Sequence, residues 1–347
     1  MDTIEIAVKI EKELNIGMIE HIRNRINDLK SPNGFTFCNV IEISRSRNFI
    51  IKISYPRYFF GNNAYLVNSV SACLEVQRWF ASVILEADDL REVFGEIGLR
   101  RVDIPFTYIM RDEEEFSNYE NIYKIFAYVY NEMKKGARAK GYIDMMDNRY
   151  ETVVYSNNGA TGKSANNKLM IYNQYENLRT KLDKEVFEAT CGVYKDLPNR
   201  IRMEVSKRIN LRTKLTTKEF SESDILGYYF YSYRDYILEY VLNAQVIEDL
   251  YTTWSNDLAE ELIVARSDTS FNYEVFILQR IRGIYDYEIL RRALRIVIEN
   301  ENTRENGITR IRKVLKEFEK EGNIIVIDVY KILARIRNEI LNSKIVE

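Results

Sequence analysis

Two periodicities divide this chain. Up to about residue 215, short runs alternate apolar and polar residues; beyond it nearly every stretch repeats at helical spacing. "RVDIPFTY" sets Val102, Ile104 and Phe106 against Arg101, Asp103 and Pro105. "KLMIYNQ" sets Leu169 and Ile171 against Lys168, Met170 and Tyr172, and "IRMEV" sets Ile201, Met203 and Val205 against Arg202 and Glu204. A period of two gives each run one apolar face, so these runs call for a sheet covered on one side. "TIEIAVKI" (3–10) follows the same rule, and "FTFCNVIEIS" with "NFIIKISY" reads as a hairpin around "RSR". Helical spacing occurs in "IGMIEHIRNRINDL", over 64–87 and over 113–135. "GLRRVDIPFTYIM" (98–110) reads as a strand whose Pro105 belongs at an edge or bulge. Hairpins dominate and βαβαβ regularity is missing, which predicts an α+β fold: an antiparallel sheet with helices packed on one face. The pattern changes at 212–222, predicting a unit over 1–215 and an all-α unit over 216–347, with Ser221 or Ser223 capping the first helix of the latter.

Composition excludes several chemistries. Among 347 residues there is one histidine, His21, against 25 tyrosines, so a two-histidine metal site is ruled out. His21 lies in a helical pattern with no partner nearby and reads as a solvent-facing residue. The three cysteines, Cys38, Cys73 and Cys191, are widely spaced and read as reduced thiols in a cytoplasm. No run of apolar residues is long enough to span a bilayer, and the start "MDTIEIAVKIEKELN" lacks the features of a secretory signal. A cytoplasmic protein with no membrane partner is expected. The net charge of −2 argues against indiscriminate coating of nucleic acid, so any DNA contact must come from local patches.

"GATGKS" ends like a phosphate-binding loop, but two tests fail. The glycine that should open the motif is Asn157, and a β-type alternation follows Ser164 where a helix should begin. "NNGATGKSANN" is better read as the polar loop of a hairpin between 151–156 and 168–173, with Lys163 and Lys168 available to a DNA phosphate.

If the three alternating strands are neighbours, Asp103, Glu204 and Tyr172 fall on one face. Two carboxylates suit a hard divalent cation, Mg²⁺ or Mn²⁺, and a tyrosine beside them could attack a phosphodiester. The bland alternative is that polar strand positions face water and the tyrosine packs. Between 200 and 218, Arg200, Arg202, Lys207, Arg208, Arg212, Lys214 and Lys218 face a single acid, Glu204, a patch able to track a phosphate backbone or simply a solvated edge. Across about 287–322, "YEILRRALRIVIEN" and "GITRIRKVLKEFEKEG" are read as two helices with a turn at "ENTRENG". They suggest a helix-turn-helix presenting Arg310, Arg312 and Lys313 to a major groove; an amphipathic surface helix fits the same spacing.

In "GLRRVDIPFTY", "ETVVYS…KLMIYNQYENLR" and "LPNRIRMEVSKRI", the chain resembles rolling-circle replication initiators, the group of Gram-positive plasmid initiators and filamentous-phage replication proteins. Their "R-[IV]-D", "Y-[DN]-K" and "R-x-E" strands come in this order. "ISYPRYFFGNNAYLV" (53–67) extends the likeness, which covers roughly 35–215. The resemblance implies a nicking-endonuclease-like sheet of five strands and an enzyme that cuts one strand at an origin through a 5′-phosphotyrosine. By position it makes Tyr172 the nucleophile and Asp103 and Glu204 the metal ligands. Partners would be single- and double-stranded origin DNA, a host helicase and a second copy of the chain. Departures are Gln174 for the family's lysine, Asn177 with Glu176 where an acid follows, and no His-hydrophobic-His motif. Tyr155 and Tyr175 are alternative nucleophiles. A relative that binds DNA for replication or copy control without cutting it is the second reading, and a structural protein of a mobile element the third.

Overall fold

The structure is a computed structural model that describes residues 1–347 apart from 45–46, 112–114, 116–118, 135–137, 145–148, 157–166, 210–213, 281–285 and 321–327. Its centre is one antiparallel sheet. The strands are β1 (Thr3–Ile10), β2 (Cys38–Ile43), β3 (Asn48–Ser54), β4 (Phe94–Ile109), β5 (Arg138–Asp144), β6 (Arg149–Ser156), β7 (Asn167–Asn173), β8 (Arg200–Arg208) and β9 (Lys214–Leu215). They run in the order β2-β3-β1-β4-β8-β7-β6-β5, with β9 on β4. The sheet is therefore larger than the five strands the resemblance implies; of its strands, only "RAKGYID" (β5), which lacks apolar alternation, and the two-residue β9 had no signal in the sequence.

Both hairpins read from the sequence form. β2 pairs with β3, and β6 pairs with β7 from Thr152↔Tyr172 to Ser156↔Lys168; "GATGKS" itself lies outside the described residues. Pro105 sits in β4, but β1 accompanies β4 only as far as Thr3↔Asp103. On that side the strand is a local edge at Pro105, which tolerates a residue without an N–H.

The helix expected over 64–87 begins late. Helix α1 is Ile16–Asn27, α2 is Tyr55–Phe60 and α3 is Val70–Phe80, the last capped by Ser69 and followed by a π turn over Ala81–Leu85. Residues 62–69 stay non-helical because their carbonyls are taken elsewhere. Arg202 Nη1 donates to Asn63 O (2.7 Å), Arg200 Nη1 to Ala64 O (2.6 Å), and Gln174 Nε2 to both (3.0 and 3.1 Å). The chain therefore crosses the sheet's polar side as a pinned loop.

The remaining helices are α4 (Tyr119–Met133), α5 (Gln174–Arg179), α6 (Lys184–Val193), α7 (Thr217–Glu222), α8 (Ile225–Tyr240), α9 (Ala244–Arg266), α10 (Tyr273–Arg280), α11 (Tyr287–Val297), α12 (Glu301–Lys320) and α13 (Val329–Leu341). The cap expected at Ser221 or Ser223 is instead Thr216 on α7, in a capping box with Glu219, and Asp224 on α8. Both residues present an oxygen to the backbone N–H three positions on. The turn between α11 and α12 is residues 298–300, closed by Asn300 accepting from Thr303 N (3.0 Å), so "ENTRENG" lies inside α12.

The change of pattern near 215 does not divide the core. Phe106 of β4 meets Phe230 of α8 (ring centroids 5.2 Å), Phe80 meets Phe220 (6.4 Å), and Tyr128 of α4 meets Trp254 of α9 (5.5 Å). One contiguous cluster of buried apolar residues runs from Ile4 and Ile104 in the sheet to Leu294 and Ile336 in the late helices. Among the described residues, no helix is long and apolar enough to cross a membrane.

Because the helices close the sheet's apolar face, Phe106→Ala is expected to cost about 3–5 kcal/mol. In denaturant, strand and helix signals should then be lost in one shifted transition; a transition confined to the strand signal would contradict a shared core.

A candidate catalytic cavity on the polar face of the sheet

The register of the central strands settles which side chains share a face. Asp103 stands opposite Ser206 and Pro105 opposite Glu204 across β4–β8; Met170 stands opposite Glu204 and Tyr172 opposite Arg202 across β8–β7. Paired residues point the same way. Asp103, Glu204 and Tyr172 therefore project from one side, while Val102, Ile104, Leu169, Ile171, Met203 and Val205 fill the core on the other. On the β1 side, Glu5 pairs with both Arg101 and Lys52, and Thr3 with both Asp103 and Ser54, extending the polar face.

This face is enclosed. The three site residues line one cavity of about 370 Å³, roofed by the 62–63 loop and by Asn177, Leu178 and Lys181 at and beyond α5. Asp103 is 3 % exposed, Tyr172 4 % and Glu204 7 %. The Tyr172 hydroxyl donates to Glu204 Oε2 at 3.1 Å. Arg101 Nε donates to Asp103 Oδ1 (2.8 Å) and to Ser206 Oγ (2.7 Å), and its Nη1 to Glu5 Oε1 (3.2 Å). Asp2, itself buried, lines the cavity as a third carboxylate.

The electrostatics follow from that crowding. Burial, then the neighbouring Asp103 and Asp2 charges, push the Glu204 carboxyl up to about 7. Burial also raises Asp103, although Arg101 and the Ser206 hydrogen bond work against it. Burial and the Glu204 charge hold the Tyr172 phenol well above its ordinary value. A carboxyl poised near neutrality against a phenolic hydroxyl suits a proton acceptor. Asp103 and Glu204 are hard oxygen donors of the kind that hold Mg²⁺ or Mn²⁺ with water completing the shell, while Lys52, Arg57, Arg101 and Lys181 line the same cavity and offset its carboxylates. Among the described residues no cluster of three or more metal-ligating side chains is preformed.

The other expected site residues scatter. Lys168 and Arg208 line an adjoining depression with Lys52, Arg100, Arg101, Glu5 and Glu42. Arg200 and Arg202 do not form a solvent-facing patch: they are buried and hold the 63–64 carbonyls, and Arg200 also binds Asp196 with Nε and Nη2, both at 2.8 Å. Lys207 lies on the opposite face, its Nζ 4.7 and 4.5 Å from the ring centres of Tyr233 and Tyr236. It shares the side of Val102, its partner in register, because it is an odd number of residues from Glu204. Lys163 and Arg212 lie outside the described residues. Arg310, Arg312 and Lys313 are exposed on α12, with the Arg312 guanidinium 4.7 Å from the Tyr287 ring centre, while Ile308, Ile311 and Leu315 point inward.

Of the alternative tyrosines, Tyr175 packs edge-on against Phe187 (5.0 Å), and Tyr155 pairs in register with Leu169, out of step with Tyr172. Sequence reasoning missed Asp2, Lys52, Arg57, Arg101 and Lys181, all of which line the cavity. Lys52 and Arg101 had a signal, as polar positions within apolar strands; Asp2, Arg57 and Lys181 had none. No protein-family model matches the chain, and no curated protein matches it.

A carboxyl raised from 4.5 to about 7 in the folded state contributes stability that is complete below pH 4.5 and lost as pH rises through about 7. Glu204→Gln removes that titration while keeping an acceptor for Tyr172. The variant should therefore gain stability relative to the native chain between those pH values, on the order of 3 kcal/mol. Urea melts at pH 4.5 and pH 8 measure it, and an unchanged difference would refute the shift.

Proposed function

We propose that the chain is a metal-dependent nicking and joining enzyme acting on single-stranded DNA at a plasmid or phage origin, of the rolling-circle initiator type, in the cytoplasm. The observation that carries this reading is the hydrogen bond from the Tyr172 hydroxyl to Glu204, in a cavity shared with Asp103. Glu204 accepts the phenolic proton as the Tyr172 oxygen attacks a phosphodiester phosphorus. The bond from phosphorus to the 3′ oxygen breaks, and Glu204 passes the proton on to that oxygen, leaving a 3′-hydroxyl strand and a 5′-phosphate on Tyr172. Joining reverses the step: a 3′-hydroxyl attacks the phosphotyrosine and the phenol regains its proton. A divalent ion at Asp103 and Glu204 would offset the negative charge that gathers on the phosphate. Lys52, Lys168, Arg101 and Arg208 flank the cavity, so a backbone laid across this face meets cations on its way to Tyr172. The exposed basic side of α12 is suited to duplex DNA beside the nick, and a host helicase and a second copy of the chain are the protein partners in this reading.

The burial of Tyr172 favours a second reading. Held inside the sheet against Glu204, the tyrosine serves packing, and the same basic face binds DNA for replication or copy control without cutting it.

Incubation with end-labelled single-stranded origin oligonucleotides and Mn²⁺ separates the two. The first reading expects a covalent protein–DNA adduct that Tyr172→Phe abolishes. The absence of an adduct with any origin sequence, or one that persists in that variant, rules the catalytic reading out. In the same preparation, Mn²⁺ at pH 8 should raise the melting temperature of the native chain and have little effect on Asp103→Asn; equal shifts would remove the metal from the proposal.

A further inference from the structure

A second cavity lies on the other side of the pinned loop. Asn62 and Asn63 face the carboxylate cavity, whereas Ala64 and Tyr65 line a separate space of about 790 Å³. It lies at the stretch of β4 that β1 leaves unaccompanied, lined by Pro105 and Thr107 from the polar face and by Phe106 with Phe230 from the helix side. Its volume falls in the range of small-molecule sites.

The polar groups here are incomplete in a specific way. Arg202, 1 % exposed and the largest fully buried side chain among the described residues, lines this cavity. Only its Nη1 has a partner, Asn63 O; Nε and Nη2 have none. Opposite it in register, the buried Thr107 hydroxyl also has no partner. An arginine stays protonated in proteins, and N–H groups left unpaired inside a protein are costly. Two adjacent N–H edges and a hydroxyl form the donor set that grips an oxyanion in a fork. Arg200, by contrast, is fully engaged by Asp196 and Ala64 and serves as wall.

The mouth is aromatic. Tyr65 is 49 % exposed and its ring lies 5.2 Å from that of Tyr194, the planes inclined by 32°. Both line the cavity, and the exposed Lys344 stands at its rim. A buried oxyanion fork beneath an exposed aromatic shelf matches a ligand carrying both a phosphate and a flat base.

We propose that this cavity binds a nucleotide unit, its phosphate on Arg202 and Thr107 and its base stacked on Tyr65. The site uses none of the carboxylates around Tyr172, so it does not depend on whether Tyr172 cuts DNA. The ligand would be a free nucleotide or one residue of a single strand.

Titration calorimetry of the full chain with thymidine 5′-monophosphate, a short oligothymidylate and inorganic phosphate tests it. The expected result is binding of the nucleotide, weaker binding of inorganic phosphate, and about tenfold loss in both Tyr65→Ala and Thr107→Val. Arg202 also holds the 63–64 loop, so its removal is expected to disturb folding, and Thr107→Val reports on the fork instead. Tyr172→Phe should bind as the native chain does, which separates this proposal from the catalytic one. A much tighter oligothymidylate identifies a strand residue as the ligand; equal affinity identifies the free nucleotide. Failure of both to bind at millimolar concentration, inorganic phosphate binding as tightly as the nucleotide, or indifference to both substitutions would overturn the proposal.

Discussion

The register of β8 between β4 and β7 is the constraint on which the rest of the molecule depends. With Glu204 between Pro105 and Met170, every even-numbered residue from Arg202 to Ser206 faces the polar side, and Ile201, Met203 and Val205 face the core. A slip of one residue would bury Arg202 and Glu204 under the helices and expose the core residues. The apolar side opposes that slip, since Ile104, Phe106, Phe230 and their neighbours pack together there and would lose that burial.

The polar side is also enclosed, which gives it its electrostatic character. A loop held by Arg200, Arg202 and Gln174 covers it and splits it in two. On one side carboxylates crowd together, and burial drives Glu204 toward neutrality. On the other side Arg202 keeps two N–H groups without partners. One covered face thus holds a group of buried carboxylates next to an arginine whose hydrogen bonds are incomplete, with main chain between them. Had Arg202 paired with Glu204, neither would be primed to receive a ligand; the carbonyl of Asn63 takes the arginine instead.

Much of this was legible in the residues, and the misses have physical causes. The alternation in "RVDIPFTY", "KLMIYNQ" and "IRMEV" was sufficient to put Asp103, Tyr172 and Glu204 on one face, because a strand's period admits only two faces. The reading of "GATGKS" as a hairpin loop was equally local, resting on Asn157 and the alternation after Ser164. Arg200, Arg202 and Lys207 went astray because a count of charges along 200–218 ignores facing: alternate residues of one strand go to opposite sides. The helix expected from residue 64 failed because distant arginines claim its first carbonyls, a competition invisible in a window of neighbours. Asp2 had no signal at all, since a carboxylate acquires its place in a cavity from partners far along the chain.

The sequence by itself determined the α+β character, the hairpins, the alternation that sorts each strand into an apolar and a polar face, and the helical spacing after residue 215. These are local properties, set by side-chain periodicity and turn chemistry over a few residues. Only the tertiary structure decided the strand order, the single core beneath both halves, the covering of the polar face and the division of that face at Asn63–Ala64. Those depend on contacts between residues more than a hundred positions apart, such as Arg202 with Asn63, whose energies come from burial and satisfied hydrogen bonds that exist only once the chain has closed on itself.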